Sequence, residues 1–94
     1  MEINDSQKDI IETCGSLKRF LLEKNKRYGN SALEPINIFS KLSSEEGIKL
    51  RMDDKVKRIK NSDELRKNDV VDLTGYLILM CVHKKWTNFD DLLD

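Results

Sequence analysis

The chain has 94 residues, of which 38% are hydrophobic and 36% are charged. Its 17 basic and 17 acidic residues give a formal net charge of zero, which argues against general electrostatic binding to nucleic acid or to an anionic membrane. No stretch approaches the ~18 consecutive apolar residues of a membrane span and no signal-peptide pattern opens the chain, so we expect a cytoplasmic protein with no membrane contact.

The first predicted element is a helix from about Ser6 to Lys26. Its apolar residues repeat at i, i+4, i+7 and i+11, as in an amphipathic helix: Ile10, Cys14, Leu17 and Leu21. Gly15 lowers helix propensity by roughly 1 kcal/mol relative to alanine, so we expect a close contact with another helix there. The helix should end near residues 28–30, because glycine and asparagine tolerate positive φ.

A loop and a second helix follow. Residues 31–43 are irregular but rich in apolar side chains, which predicts an ordered loop over the bundle and a candidate lid. Ser43 followed by Glu46 has the spacing of a capping box and predicts the start of the second helix. One face of this helix is apolar, with Ile48, Met52, Val56 and Ile59. A different face carries charges at i, i+3, i+4 and i+7, namely Arg51, Asp54, Lys55 and Arg58.

The third helix is predicted from the acidic turn at residues 61–64 to about His83. Asp69, Asp72 and Tyr76 share one narrow stripe, and apolar residues cover most of the remaining circumference: Val70, Val71, Leu73, Leu77, Ile78, Cys81 and Val82. Such a helix should be buried on nearly every side. Two other helices from so short a chain supply too little apolar surface to cover it, so we expect a homo-oligomer.

The remaining residues complete an all-α fold. Residues 86–94 are predicted to form a short C-terminal helix capped by Thr87 or Asn88 and docked on the bundle through apolar side chains. We therefore expect a single domain, residues 1–94, built as a small antiparallel helical bundle with three main helices, an ordered loop and a short C-terminal helix.

The cysteines and the single histidine give no metal site. Cys14 and Cys81 lie among apolar residues at helical positions, so we expect buried hydrophobic side chains rather than a disulfide. With one histidine and no Cys-x-x-Cys pair, zinc has no ligand set.

Two carboxylates in a buried helix need a positive partner, because an unpaired buried charge destabilises the fold or shifts its pKa. If the second helix turns its charged face toward them, three aspartates (Asp54, Asp69 and Asp72) meet three cations (Arg51, Lys55 and Arg58). The cluster is then a buried ion network. Alternatively, the aspartates hold Mg²⁺ and the free cations bind substrate phosphates. Spacing alone supports both equally.

The end of the first helix is a further candidate. The segment from Lys24 to Ser31 supplies cations, amide groups and the aromatic face of Tyr28, which suits a phosphate and a base. The alternative is an ordinary helix C-terminus, where basic side chains complement the helix dipole and Gly29 with Asn30 makes the turn.

Three blocks together resemble the phage and bacterial nucleotide-modification-associated domain family, which looks related to the MazG-like nucleoside triphosphate pyrophosphatases. The first block is Lys24, Asn25, Tyr28, Gly29, Asn30 and Ser31. The second is Arg51, Asp54, Lys55 and Arg58, and the third is Asp69, Asp72, Leu73 and Tyr76. The resemblance covers residues 22–82.

This resemblance implies a MazG-like bundle with a Mg²⁺-dependent nucleotide site. In it Asp54, Asp69 and Asp72 would be catalytic and hold the metal, while Lys24, Arg51, Lys55 and Arg58 would bind phosphates. Tyr28 and Asn30 would contact the base or sugar, and Tyr76 completes the expected substrate-binding set. Metal-activated water would then attack a phosphoanhydride of the nucleotide.

The leading hypothesis is therefore a phage-type, homo-oligomeric pyrophosphohydrolase acting on nucleoside triphosphates, with deoxynucleotides as the expected substrates. Arg27 stands where the family usually has an acid, and the Glu-Glu-x-x-Glu motif of active pyrophosphatases is missing. These departures favour the alternative, a non-catalytic protein that sequesters a nucleotide or regulates, for example by countering host defence. A third class is a structural or interaction protein whose aspartates form an ion network.

Overall fold

The computed structural model describes residues 2–93 and contains three α-helices in that range. α1 is Asp5–Tyr28, α2 is Ser44–Asn61 and α3 is Lys67–His83, and a 3-10 turn follows at Asp90–Leu92. Residues 2–93 contain no strand, so the predicted all-α fold class is confirmed. Within the same range, every helix is too short or too polar to cross a membrane.

Side-chain caps fix the first residues of α1 and α2. Asn4 Oδ1 accepts a hydrogen bond from the Gln7 N–H at 2.8 Å, and Gln7 Oε1 accepts one from the Asn4 N–H at 3.0 Å. This reciprocal capping box starts α1 one residue before the predicted Ser6. Ser43 caps α2 as predicted, because its hydroxyl accepts from the Glu46 N–H at 3.2 Å.

The start of α3 differs from the prediction. The acidic turn at residues 61–64 does not open the helix, which begins only at Lys67. Ser62 is instead the C-cap of α2, and its hydroxyl accepts from the Arg66 guanidinium at 2.7 Å.

The predicted C-terminal helix is reduced to the 3-10 turn at residues 90–92, and Asp94 lies outside the described residues. Asn88 Oδ1 accepts from the Asp90 N–H at 2.8 Å, so the expected polar cap is present but holds a single turn. One turn is too short to align several apolar side chains on one face. Trp86, Phe89, Leu92 and Leu93 accordingly remain more than half exposed instead of docking on the helices.

α2 and α3 run antiparallel and share the most extensive helix–helix contact of the fold. Lys55 Nζ of α2 lies 3.0 Å from Asp72 Oδ2 of α3. Lys84, which caps the end of α3, forms an ion pair with Glu45 in the first turn of α2. Ile48 of α2 is fully buried. Of the two charged stripes, Lys55 and Asp72 meet between the helices, whereas Asp54 and Arg58 are exposed.

α1 joins this pair over one short region of α3. Gly75 of α3 is buried, and a Cβ at that position would lie 2.9 Å from Leu21 Cδ2 of α1. The glycine therefore gives the leucine room to pack. The helix–helix contact predicted at Gly15 does not form among residues 2–93, because a Cβ there would meet only Arg19 Nη1 of the same helix, at 3.6 Å.

The three helices leave an open surface. The accessible area is 8166 Å², against about 5,600 Å² for a compact monomer of this size. The radius of gyration is 15.6 Å, against roughly 12 Å for a compact chain of this length. Ile48 is the one fully buried hydrophobic side chain in residues 2–93. The all-round burial predicted for α3 and the burial of Cys14 are therefore wrong for the single chain, since Val70, Leu77, Val82 and Cys14 are exposed.

Alanine at two glycines tests the contact of α1 with α3. A Cβ at Gly47 would have no neighbouring atom within 4 Å, so Gly47→Ala should raise the free energy of unfolding by roughly 0.5–1 kcal/mol. Gly75→Ala brings the same gain in helix propensity, but its new methyl group must displace the Leu21 side chain. Its free energy of unfolding should therefore rise less than that of Gly47→Ala, or fall. Urea unfolding followed by circular dichroism measures both. Equal gains would contradict the packing of Leu21 on Gly75.

The ion pair between Glu45 and Lys84 predicts an acid dependence of stability. A hydrogen bond and the charge of Lys84, then Lys49, hold the pKa of Glu45 below its ordinary value of 4.5. Since the folded-state pKa is the lower one, this contribution to stability is present above pH 4.5 and is lost as the pH falls through the folded pKa.

Thermal unfolding from neutral to acid pH checks this expectation. Glu45→Gln should lower the melting temperature at neutral pH, and its difference from the unsubstituted protein should shrink as the pH falls below 4.5. Lys84→Met should show the same convergence. A difference that stays constant across the range would mean that the Glu45 charge does not stabilise the fold.

Candidate functional site

A cavity of about 370 Å³ lies where the end of α1, the turn after it, α2 and α3 meet. Such a volume is within the range of small-molecule sites. Five of the seven predicted substrate-binding residues line it: Lys24, Tyr28, Asn30, Arg51 and Tyr76. Helix packing therefore brings together residues that lie up to half the chain apart.

The turn after α1 forms one wall of the cavity. Gly29 has φ of 61° and Asn30 has φ of 64°, which confirms the predicted positive φ at both positions. Asn25 Nδ2 donates to Asn30 Oδ1 at 2.7 Å and so closes the turn. The Ser44 hydroxyl donates to the Leu33 carbonyl at 2.8 Å, which ties the wall to the start of α2.

Asn25 is a lining residue that the predicted site omitted. Its place in the first sequence block was the available signal, but its partner is five residues away across a left-handed turn. That hydrogen bond follows from the backbone path and cannot be read from helical spacing.

Lys24 and Arg51 are the two cations of the cavity lining. Lys24 Nζ lies 5.2 Å from the centroid of the Phe20 ring and 5.6 Å from that of Tyr28. The Arg51 guanidinium carbon lies 6.0 Å from the centroid of the Tyr76 ring. Within residues 2–93 neither cation forms an ion pair with a carboxylate, and the described lining of this cavity contains no acidic residue. The cavity is therefore positively charged and flanked by aromatic rings.

The three aspartates predicted to bind metal differ in their exposure to solvent and in the side chains that they contact. Asp69 is 2% exposed, with its Oδ2 3.3 Å from Arg66 Nε, and Asp72 pairs with Lys55. Asp54 is exposed and lines a separate recess of about 950 Å³ beside the cavity. Residues 2–93 contain no group of three or more side chains placed to hold a metal. This arrangement does not fit a Mg²⁺ site built on all three aspartates, and metal binding stays a prediction.

Asp69 has an incomplete set of partners. Its Oδ2 lies within ion-pair distance of Arg66 Nε but accepts no hydrogen bond from any residue in the described range. The first turn of α3 supplies further stabilisation, because the helix dipole favours a carboxylate at that end. Sequence reasoning missed Arg66, although its i,i+3 spacing from Asp69 was the available signal.

The other two predicted phosphate-binding cations do not line the cavity. Lys55 is directed to Asp72, and both side chains are largely buried, with 13% and 24% exposure. Arg58 is exposed and lies outside the cavity lining. The ion-network alternative of the sequence analysis predicts an ion pair of this kind, between a cation of α2 and an aspartate of α3.

Comparisons of the chain with protein-family models, curated proteins and solved structures found no match. The resemblance to the nucleotide-modification-associated domain family therefore stays a prediction from sequence. The cavity, its charge and its aromatic side chains are the features of the structure that indicate a function.

A double-mutant cycle measures the contact between Lys55 and Asp72. Because both side chains are mostly buried, Lys55→Met and Asp72→Asn should show a coupling free energy of about 1 kcal/mol. The matched control is the exposed 3.0 Å pair of Arg27 and Glu23 on α1, which should couple by no more than about 0.5 kcal/mol. Chemical unfolding of the four variants of each cycle gives both values. Equal coupling in the two cycles would exclude a special role for Lys55 in holding α2 against α3.

Proposed function

We propose that this protein binds a phosphorylated nucleotide in the cavity between α1, α2 and α3. The observation that carries the proposal is the pair of cations, Lys24 and Arg51, in a lining whose described residues include no acid. A concave site of one charge sign concentrates ligands of the opposite sign. The ligand should therefore be anionic.

The form of the cations suggests phosphate. Arg51 is half-buried on α2 and presents a planar guanidinium, which matches two phosphate oxygens at once. Lys24 lies across the cavity at the end of α1 and adds a second positive charge. Since neither is in an ion pair within residues 2–93, a phosphate displaces no protein carboxylate when it binds.

The aromatic and amide groups suggest a planar base joined to that phosphate. Tyr28 and Tyr76 line the cavity wall, and stacking of a base on an aromatic ring is worth about 1–3 kcal/mol per base. Asn30 and Ser31 supply hydrogen-bonding groups for a base edge or a sugar hydroxyl. These are also residues on which the family resemblance rests, which supports a nucleotide over another anion.

Isothermal titration calorimetry with the common NTPs and dNTPs, in the presence of EDTA, tests the proposal. Arg51→Met should weaken nucleotide binding roughly 10- to 100-fold, because a hydrogen bond to a charged group is worth about 1.5–3 kcal/mol. Arg58→Met is the matched control, since Arg58 is on the same helix but outside the cavity.

Two further titrations separate the base from the phosphates. Inorganic tripolyphosphate should bind more weakly than the preferred nucleotide, and Tyr28→Leu should bring nucleotide affinity toward that of tripolyphosphate. If no nucleotide binds, or if Arg58→Met is as damaging as Arg51→Met, the cavity is not a nucleotide site.

Pyrophosphohydrolase activity with Mg²⁺ is the second candidate. The observation that favours it is the position of Asp54, which lines the recess beside the cavity. Arg51 lines both the recess and the cavity. Phosphorus NMR of nucleoside triphosphates with and without Mg²⁺ distinguishes the two. Metal-dependent release of pyrophosphate and a monophosphate, abolished by Asp54→Asn, would establish hydrolysis. Shifted but intact nucleotide signals would leave a binding protein that sequesters or senses its ligand.

A further inference from the structure

One side of α1 is not packed against another helix in the part of the chain that the structure describes. Ile11, Gly15, Lys18 and Leu22 follow one another at helical spacing, and we call them the α1 stripe. Ile11 is 60% and Leu22 is 64% exposed, and no other helix approaches Gly15. The contact with α3 uses a neighbouring side of the helix, through Leu21.

The area that the chain leaves open is what an obligate homodimer buries. The accessible surface of 8166 Å² exceeds that of a compact monomer by about 2,500 Å². Obligate homodimers cover roughly 1,000–2,500 Å² of each partner, and their interfaces are rich in apolar side chains. Part of this excess lies on α1, where Ile10, Ile11 and Leu22 are exposed, and a second copy packed there would cover it. The rest lies on the loop before α2 and on the C-terminal residues.

The charge distribution along α1 favours one orientation of that second copy. The half from residue 5 to residue 14 carries three acids and one base, while the half from residue 16 to residue 28 carries five bases and one acid. Antiparallel pairing of two α1 helices sets the acidic half of each copy against the basic half of the other. Parallel pairing would set like charges against each other.

We propose that two copies of this chain form a two-fold dimer by antiparallel packing of their α1 stripes, centred between Ser16 and Leu17. In this register Ile11 of each copy lies opposite Leu22 of the other. Gly15 lies opposite Lys18, whose aliphatic stem crosses the space that a side chain would fill. The stripe is thus complementary to itself, as a two-fold interface requires.

Sedimentation velocity tests the surface. The unsubstituted protein should be a dimer, and Leu22→Glu should raise the dissociation constant of the dimer about 100-fold or more, because it sets a buried carboxylate against the acidic half of the partner. Ile36→Glu, at an 83% exposed apolar residue of the loop before α2, is the matched control and should remain dimeric. Ile11→Lys should have the same effect as Leu22→Glu, because it sets a buried ammonium against the basic half, and circular dichroism confirms that each variant is folded.

Spin labels test the orientation. In a Cys14→Ala, Cys81→Ala background, labels at Asp5→Cys should be roughly 35 Å apart, because each residue 5 lies 11–12 residues of 1.5 Å rise from the centre. Parallel packing would bring them to about 10 Å. A monomeric unsubstituted protein, or dissociation by Ile36→Glu but not by either stripe variant, would overturn the proposed surface. The short label distance would overturn the antiparallel arrangement.

Discussion

The antiparallel register of α2 against α3 positions the polar groups on which the candidate site depends. In this register Lys55 Nζ lies 3.0 Å from Asp72 Oδ2. Because the helices are antiparallel, the residue four positions before Lys55 and the residue four positions after Asp72 lie at the same level, one helical turn away. These residues are Arg51 and Tyr76, and the Arg51 guanidinium lies beside the Tyr76 ring. The register that brings Lys55 to Asp72 therefore also places the cation and the ring that form the inner wall of the cavity.

Four basic side chains near the site fall into two groups: two lie against carboxylates and two line the cavity. Lys55 and Arg66 lie against aspartates of α3, and both of those carboxylates are withdrawn from solvent. Lys24 and Arg51 lie instead over aromatic rings, which offer a weaker attraction than a carboxylate and leave the positive charge available to a ligand. Two cations from the same face of α2 therefore differ in role: Lys55 neutralises a carboxylate of α3, whereas Arg51 contributes positive charge to the cavity.

The same short chain does not close its own core. α1 is the longest helix, yet it is anchored to α3 mainly where Leu21 packs over Gly75. That contact also carries the end of α1, with Lys24 and Tyr28, to the wall of the cavity. Ile10, Ile11 and Leu22 of the same helix are exposed to water, which is unfavourable for an isolated chain.

The sequence by itself determined the features that depend on neighbouring residues. The Ser43 cap and the left-handed turn at Gly29 and Asn30 were predictable because each is decided within a few residues of the chain. The helical type of these segments followed from periodicity, but whether the charged stripes of α2 and α3 face each other did not. Only the tertiary structure decided that Lys55 is the cation of α2 that reaches Asp72, and that Gly75 rather than Gly15 receives another helix. Spacing along one helix specifies which side chains share a face, but the register between helices, which selects their partners, is set by packing.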